Sequence, residues 1–598
     1  MKKHVKTMIT AFRDGFQSVF GARVVTKDFL PAIEAAVDAG FDHFEIGGGA
    51  RFQSLYFYCN EDAFDMMDSV RKATGPHADL QTLARGINVV GLDSQPRDII
   101  DLHAKLFKKH GVTTIRNFDA LNDVNNLIYS GERIHAAGLK HEVCVTLMEL
   151  PPGADGAHDT PFYIRVLKDI LESGLPYESV CFKDASGTAT PAKVFDTIKE
   201  ARKLLGKEVK LVFHTHETAG VSISAYKAAL EAGADQIDLS LSPVSGGTAQ
   251  PDVLTMWHAL RGTEYDLGVD IKKVMKAEQV FKDCMKDYFF PPEAMKVSPL
   301  IPFSPMPGGA LTANTQMLRD NDMMDKYEEI TEAMEEVVAK GGYGTSVTPV
   351  SQFYFQQAFN NVMSGQWKKI AEGYGKMVLG YFGKTPIDPD PEVVSLASKQ
   401  LGLEPTQESP LDINDKDPEK GVECAKKVLK ENNIEVTDEN IFIAATCKEK
   451  GISFLKGEAT FGVRKNGTQK EEKSVTGSGV YAITLEGKTF NVEITDESNV
   501  RVNGRDIKYS IGEGTPLEVV SSKDPGYLNT LKAPLAGLVL KMPLQEGDSF
   551  SKGDTLIVLE SMKMETPVTA ESDGSVKKIT VKQGQQIKSG DVLMEWEG

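Results

Sequence analysis

Cysteine is scarce in this chain. Six residues (Cys59, Cys144, Cys181, Cys284, Cys424 and Cys447) are spread over 598 positions with no CxxC pair and no paired zinc-ligand spacing. A disulfide-stapled fold is excluded, and reduced thiols in a cytoplasmic compartment are expected. No run of about 20 apolar residues occurs, and the opening MKKHVKTMITAFRDG lacks the apolar core of a secretory signal, so neither a membrane span nor a signal peptide is expected. Positive charge is in deficit, with 67 Lys and Arg against 85 Asp and Glu and a net charge of −18. A surface built to track nucleic-acid phosphates is therefore disfavoured. A glycine loop for nucleotide phosphates is also missing. What is present is an ordinary globular balance, 41% hydrophobic and 25% charged, in a length that suggests roughly three to five domains.

From residue 7 to residue 240 a short apolar run, a turn and an amphipathic helical stretch recur. The runs are Met8–Phe12, His43–Ile46, Leu80–Ala84, Thr114–Phe118, Glu142–Leu147, Ser179–Phe182, Lys210–Phe213 and Gln236–Leu239. Helical patterns such as Asp28–Ala39, Pro96–Lys109, Asn126–Ala137, Thr160–Ser173, Pro191–Leu205 and Val221–Ala232 lie between them, several ending at a glycine suited to the left-handed residue after a helix. Eight alternations fit a (β/α)8 TIM barrel, with an open doubly wound sheet as the structural rival. Polar residues favour the barrel: Asp14, Glu45, Arg85, Asn117 with Asp119, Thr146, Lys183, and His214 with His216 all fall at or beyond run ends, on one rim.

The multidomain reading assigns 1–264 to the barrel, 265–410 to a helical domain, 411–523 to a linker and small α+β spacer, and 524–598 to an all-β carrier domain. Helical periodicity marks Ile271–Tyr288, Met323–Ala339, Ser351–Ser364 and Gln366–Leu379. Prolines break Thr385–Glu392, and Gln407–Gly421 reads as a loop. In the last part Gly537, Gly547, Gly553, Asp554 and Leu556 recur 37 residues on as Gly574, Gly584, Gly590, Asp591 and Leu593. Two matched halves close a small sandwich, and Glu560-Ser561-Met562-Lys563-Met564-Glu565-Thr566 lies between them. This Met-Lys-Met resembles the attachment site of biotinyl domains, with Lys563 as the modified lysine. A lipoyl domain shares the fold but usually lacks the flanking methionines, and an ordinary exposed lysine is the plainest reading.

In His214-Thr215-His216 the strand period of two points both imidazoles the same way, a geometry suited to a shared cation. Asp14 lies next to the last strands once a barrel closes and can add a carboxylate. Such donors suit Zn²⁺, Mn²⁺ or Co²⁺ as a Lewis acid. A structural His pair reads as well. Lys183 facing a cation is unfavourable unless neutral or carboxylated, so a salt bridge to Asp184 competes with a role as ligand.

Taken together, Arg13-Asp14-x-x-Gln17-Ser18, Arg85-Gly86-x-Asn88, Phe118-Asp119-Ala120-Leu121-Asn122-Asp123, Lys183-Asp184-Ala185-Ser186-Gly187, His214-Thr215-His216-Glu217-Thr218 and Ser245-Gly246-Gly247-Thr248-Ala249-Gln250-Pro251 resemble the biotin-dependent carboxyltransferase family. That family includes pyruvate carboxylase, the oxaloacetate decarboxylase α subunit and the transcarboxylase keto-acid subunit. Met306-Pro307-Gly308-Gly309, Val347-Thr348-Pro349 and Gly380-Tyr381-Phe382-Gly383-Lys384-Thr385-Pro386 extend the match. The resemblance implies a divalent metal on Asp14, His214, His216 and Lys183, the last as N-carboxylysine. It implies that Arg85, with Gln17 and Arg13, holds pyruvate, and that Thr248 moves a proton between pyruvate and the biotin ring. It further implies that a biotin protein ligase loads Lys563 and that the enzyme interconverts pyruvate and oxaloacetate.

No segment is left for a biotin carboxylase domain, so a biotin carboxylase subunit or membrane decarboxylase subunits are expected as partners, with a homo-oligomer as the assembly and the cytoplasm as the location, at the membrane only through partners. The absence of an Ala/Pro-rich tether before Lys532-Ala533-Pro534 favours the two-subunit carboxylase. Phe16, Gly47 and Leu92 stand where the family usually has His, Trp and Tyr. Gly47 and Arg51 together would open the pocket and add a positive group, which keeps a larger 2-oxo acid such as 2-oxoglutarate in view. A metal-dependent lyase or aldolase on an HxH barrel, and a carrier scaffold with an inactive barrel, are the rivals.

Overall fold

The computed structural model describes residues 2–466, 480–485, 488–494, 499–502, 505–508, 529–561 and 564–597. The chain divides into two compact units, Met1–Arg464 and Lys465–Gly598. In the first, eight parallel strands close a barrel: β1 Lys6–Ile9, β2 His43–Glu45, β3 Asp79–Ala84, β4 Thr114–Asn117, β5 Lys140–Leu147, β6 Ser179–Asp184, β7 Lys210–Thr215 and β8 Gln236–Leu239. Closure comes from β1 pairing with β8, Lys6 opposite Gln236 and Ile9 opposite Leu239. All eight expected strands are present, and the doubly wound alternative is excluded. The first differs in extent. The expected strand Met8–Phe12 stops at Ile9, and Ala11–Gly15 winds into a π-helical turn closed by Gly15 N–H to the Thr10 carbonyl at 3.0 Å.

The barrel interior is not wholly apolar. Below the rim, Arg116 of β4 donates to Glu142 of β5 at 2.6 Å and to Asp238 of β8 at 2.5 Å, and Gln81 of β3 donates to Glu142 at 2.9 Å. All four are fully buried. Strand alternation explains them, because each occupies an inward position, and the guanidinium needs two carboxylates once water is excluded.

Helices Gly308–Asp320, Tyr327–Lys340, Val350–Ser364, Glu372–Val378 and Pro391–Leu401 follow the barrel. Asp390 caps the last with its carboxylate, and Pro391 takes the first helical position, where a missing N–H costs nothing, so the proline cluster starts a helix as well as ending a loop. The loop expected over Gln407–Gly421 is corrected: Pro410–Lys416 is helical and buries Leu411, and Asn414 donates to Ser94 at 2.8 Å. Gly421–Glu431 and Asp438–Leu455 continue this belt, and Phe442 packs on Phe52, Phe64 and Phe107 of the barrel wall. Residues up to 464 thus share the barrel's core rather than linking it to something else.

In that contact His103 stacks on Phe107 and Phe442, with ring centroids 4.2 and 5.7 Å away. Burial pushes its pKa down to about 3. A folded value below the free one means the neutral ring is required, so this contribution is complete above the free value of 6.5 and fades as pH falls toward 3. Replacing His103 with Phe should make the acid loss of stability shallower by about 1.4 kcal/mol per pH unit below pH 6. Denaturant titrations of both proteins at pH 7, 6 and 5 measure this, and parallel pH slopes would contradict it.

In the second unit, Val480–Leu485, Lys488–Ile494, Asn499–Val502 and Arg505–Lys508 form a four-stranded antiparallel sheet in sequence order. Two further four-stranded sheets are built from the duplicated halves. Gly537–Lys541, Ser549–Phe550 and Thr555–Ser561 recur as Gly574–Ile579, Gln586–Ile587 and Val592–Glu597. Repeated residues repeat a job: Asp554 accepts the N–H of Ser551 at 2.8 Å, and Asp591 that of Lys588 at 2.7 Å, closing equivalent turns. Val539, Ile557, Leu559, Val576 and Leu593 fill the core between the sheets. Among the described residues no helix is long and apolar enough to cross a membrane.

Candidate active site

Three sources converge on the C-terminal rim of the barrel. The π turn after β1 carries Arg13 and Asp14, β6 carries Lys183, and β7 carries His214 with His216 one residue beyond its end. Lys183 and His214 are register partners, so alternation holds both on the inner face. The same alternation sends Asp184 outward, where it accepts from Thr215, Ser186 and the N–H groups of Thr188 and Ala189. The salt bridge of Lys183 to Asp184 weighed from sequence is therefore not the one made. Lys183 Nζ lies 2.8 Å from His214 Nε2 and 3.5 Å from Asp14 Oδ2.

Asp14 Oδ2 stands 3.4 Å from the Nε2 atoms of both His214 and His216. One ligand atom from each of these three buried residues lies within 4.8 Å of the others. The second nitrogen of each ring is already committed. His214 Nδ1 donates to Asp238 at 2.9 Å and His216 Nδ1 to the Thr248 carbonyl at 2.7 Å, so both rings turn an Nε2 lone pair inward. Burial, reinforced by Lys183, pushes His214 down to about 4 and keeps it neutral. Burial alone would raise Asp14, but Lys183, Arg13 and His216 outweigh it and hold the carboxyl well below its usual range. Two imidazoles and one carboxylate, fixed from behind, are a donor set that fits a divalent cation.

Beside the trio lies a cleft of about 350 Å³ lined by Arg13, Asp14, Gln17, Arg85, Lys183 and His216. Pro307, Gly309, Val347 and Thr348 of the helical region complete its wall. Arg85 donates from Nη1 to the carbonyls of Val90 and Gly91, both at 2.9 Å. Burial, then Arg13, pushes Arg85 down to about 9, which leaves it charged at neutral pH. Among the described residues Arg13 Nε, Arg85 Nε and Gln17 Oε1 are buried with no hydrogen-bond partner. The two orphaned guanidinium N–H donors suit an anionic ligand with several oxygens. A second cleft of about 270 Å³ adjoins through Arg85 and holds Asn88 and Asp119, the latter pushed up to about 7 by burial and Asp123.

Close packing explains two glycines. A Cβ on Gly49, already at φ +52°, would meet Arg13 Nη2 at 2.7 Å and Arg85 Nη2 at 3.2 Å, and one on Gly308 would lie 1.8 Å from the Thr248 carbonyl. Thr248 itself is fully buried and is not among the cleft-lining residues. Its hydroxyl faces the carbonyls of Ser18 at 2.8 Å and Ala294 at 3.1 Å. Arg51 corrects an expectation: its guanidinium does not add charge to the cleft but donates to the Ala22 carbonyl at 2.7 Å and sits over the rings of Phe16 and Phe29. Phe16 belongs to that aromatic core, and Leu92 is half-buried and lines neither cleft. Lys563, the residue expected to carry biotin, lies outside the described residues.

Residues 141–281 match the HMGL-like family, 301–503 the conserved carboxylase domain and 529–596 the biotin-requiring enzyme domain. Over 569 residues the chain is 30% identical to a pyruvate carboxylase subunit of Methanocaldococcus jannaschii, covering 94% of each. This chain belongs to the biotin-dependent carboxyltransferase family. It is 28% identical to the 2-oxoglutarate carboxylase large subunit of Hydrogenobacter thermophilus over 95% of this chain and 91% of that one. The carboxyl transferase domain of Rhizobium etli pyruvate carboxylase, solved with pyruvate and biocytin, superposes with a TM-score of 0.70 at 23% identity, covering 85% of this chain and 89% of that one, and so shares the fold. The chain is an enzyme, a biotin-dependent carboxyltransferase, and this sets aside the lyase, aldolase and scaffold rivals.

Several residues of this carboxyltransferase's site were given no role from sequence: Arg116, Glu142 and Asp238 behind His214, and Gln250 beside the trio. Glu45, expected at the rim, places its Oε1 3.3 Å from Arg13 Nη1. Burial raises Glu45 to about 6. A charged residue at an inward position of an apolar strand was the available signal.

Proposed function

We propose that this chain moves a carboxyl group between biotin on Lys563 and a 2-oxo acid, with pyruvate and oxaloacetate as the reactant pair. The observation that carries the reading is one cleft in which Asp14 and His216, two members of the buried donor trio they form with His214, face Arg13 and Arg85. A divalent cation held by those donors supplies a Lewis acid for the 2-oxo group, and biotin supplies the carboxyl carrier. Lys183 joins the ligand set as a carbamate, which removes the positive charge that its ammonium places 2.8 Å from His214. Arg85 Nε and Arg13 Nε bind and orient the substrate carboxylate, with Gln17 beside them. Thr248 carries the proton to or from the substrate methyl carbon once its hydroxyl leaves the Ser18 and Ala294 carbonyls. The helical region shields the cleft from water through Pro307 and Val347.

A separate biotin carboxylase subunit is the partner this reading requires, a biotin protein ligase loads Lys563, and the assembly is a homo-oligomer in the cytoplasm. The carrier occupies 524–598, and the barrel with its helical region extends to residue 464. A second substrate, 2-oxoglutarate, is favoured by two guanidiniums meeting over side-chain-free Gly49, since a dicarboxylic 2-oxo acid offers each its own carboxylate. After expression with a biotin ligase, intact mass should show one biotin, and label should exchange between pyruvate and oxaloacetate. An unmodified chain, or exchange unaffected by Thr248→Ala, would contradict the reading. Exchange that is faster with 2-oxoglutarate would select the second substrate. ATP and bicarbonate dependence on adding a biotin carboxylase identifies that partner, and sodium-linked decarboxylation with membrane subunits identifies the other.

A further inference from the structure

Gln250 has no part in the reaction proposed above, yet its amide occupies the middle of the ligand trio. Nε2 lies 2.9 Å from His216 Nε2, 3.3 Å from Asp14 Oδ2 and 3.5 Å from His214 Nε2. At the other end Oε1 accepts the Thr10 hydroxyl at 2.6 Å, and that hydroxyl also lies 3.1 Å from the Leu239 carbonyl. Gln250 and Thr10 are both fully buried.

The rings turn two lone pairs inward toward a carboxylate, an arrangement that repels itself at a buried site. Donors are needed there, and the Gln250 amide supplies one beside Lys183 and the Arg13 guanidinium, whose Nη1 lies 3.3 Å from Asp14 Oδ1. A primary amide has a donor end and an acceptor end of nearly the same shape, so rotation about Cγ–Cδ exchanges them with little displacement. Thr10 tolerates either orientation. Its hydroxyl donates to Oε1 in one, and in the other it donates to the Leu239 carbonyl while accepting from the turned N–H. A hydroxyl is both donor and acceptor, so neither orientation leaves Thr10 or Gln250 unpaired.

We propose that Gln250, held by Thr10, is a two-orientation positioning residue: its N–H end gathers Asp14, His214 and His216 while no cation is present, and its carbonyl oxygen would turn toward the cation when one is bound. This rests on the reading of the trio as a cation site. The test uses the full-length, metal-stripped protein, Co²⁺ as the probe in competition with a chromophoric chelator, and melting temperatures with and without Co²⁺. Gln250→Leu removes both ends and should weaken Co²⁺ binding by about 10- to 100-fold. Gln250→Glu keeps the acceptor and loses the donor. It should lower the melting temperature of the stripped protein and tighten Co²⁺ binding by a comparable factor. Opposite shifts from two variants at one site are expected, and Gln250→Leu carries the assignment, because the added charge of Gln250→Glu attracts a cation whatever the amide does. A wild-type chain that binds one equivalent, with both variants unchanged or shifted the same way, would overturn the assignment alone. A wild-type chain that takes up no Co²⁺ would overturn the cation reading itself and the assignment with it.

Discussion

Lys563→Arg is expected to leave the protein without biotin and to cut carboxyl transfer by a factor on the order of 10² to 10⁴, the advantage that tethering confers over free reactant. Arginine preserves charge and length but offers a guanidinium that stays protonated, not an amine that a ligase can acylate. The described strands on either side, Thr555–Ser561 and Met564–Thr569, pair antiparallel up to Ser561 opposite Met564, and the substituted residue is one of the two that join them. Intact mass after expression with a biotin ligase reads the modification, and label exchange between pyruvate and oxaloacetate reads the transfer. Millimolar free biotin should restore part of the exchange, because the barrel is unchanged. Full exchange in the unmodified variant would exclude Lys563 as the carrier residue.

His216→Ala should cost the protein its bound cation and reduce turnover on the order of 10³-fold, the equivalent of the several kcal/mol that a Lewis acid contributes at a developing oxyanion. His216 is a cleaner target than His214. Its outer nitrogen meets the Thr248 carbonyl at 2.7 Å and the Gln250 amide at 3.4 Å, whereas that of His214 is joined through Asp238 to Arg116 and Glu142 in the barrel interior. Removing His214 would leave a buried carboxylate one donor short, and lost folding would be confused with lost chemistry. Elemental analysis and label exchange, with circular dichroism as the control for folding, decide the matter. One equivalent of cation together with wild-type exchange in His216→Ala would refute the assigned ligand set.

Much of the barrel was legible because its strands are bounded by turns and end in polar residues, and because helices between them show apolar periodicity. The first strand was the exception. Met8–Phe12 is apolar apart from Thr10, and its composition does not separate strand from π turn, so the turn that carries Arg13 and Asp14 was visible only in the backbone hydrogen bonds. Arg51 was misplaced for a related reason. Its neighbours in sequence lie on the rim, but the helix Gly49–Ser54 turns its side chain away from the cleft, toward Ala22 and Phe16. The segment Gln407–Gly421 read as loop, and 411–523 as linker and spacer, because polar residues dominate there, although Leu411, Leu429 and Phe442 give this stretch an apolar face that packs on the barrel.

The sequence by itself determined the alternation of strand and helix, the duplicated halves of the carrier sandwich and the residue types available for chemistry, all of which depend on local periodicity and on repeated motifs. Only the tertiary structure decided which of those residues meet. Asp14 and His214 are 200 positions apart in the chain and 3.4 Å apart in space because β1 closes on β8. The inward lone pairs of His214 and His216, the orphaned nitrogens of Arg13 and Arg85 and the amide of Gln250 beneath them follow from that closure. They depend on distances and burial, which a one-dimensional pattern does not contain.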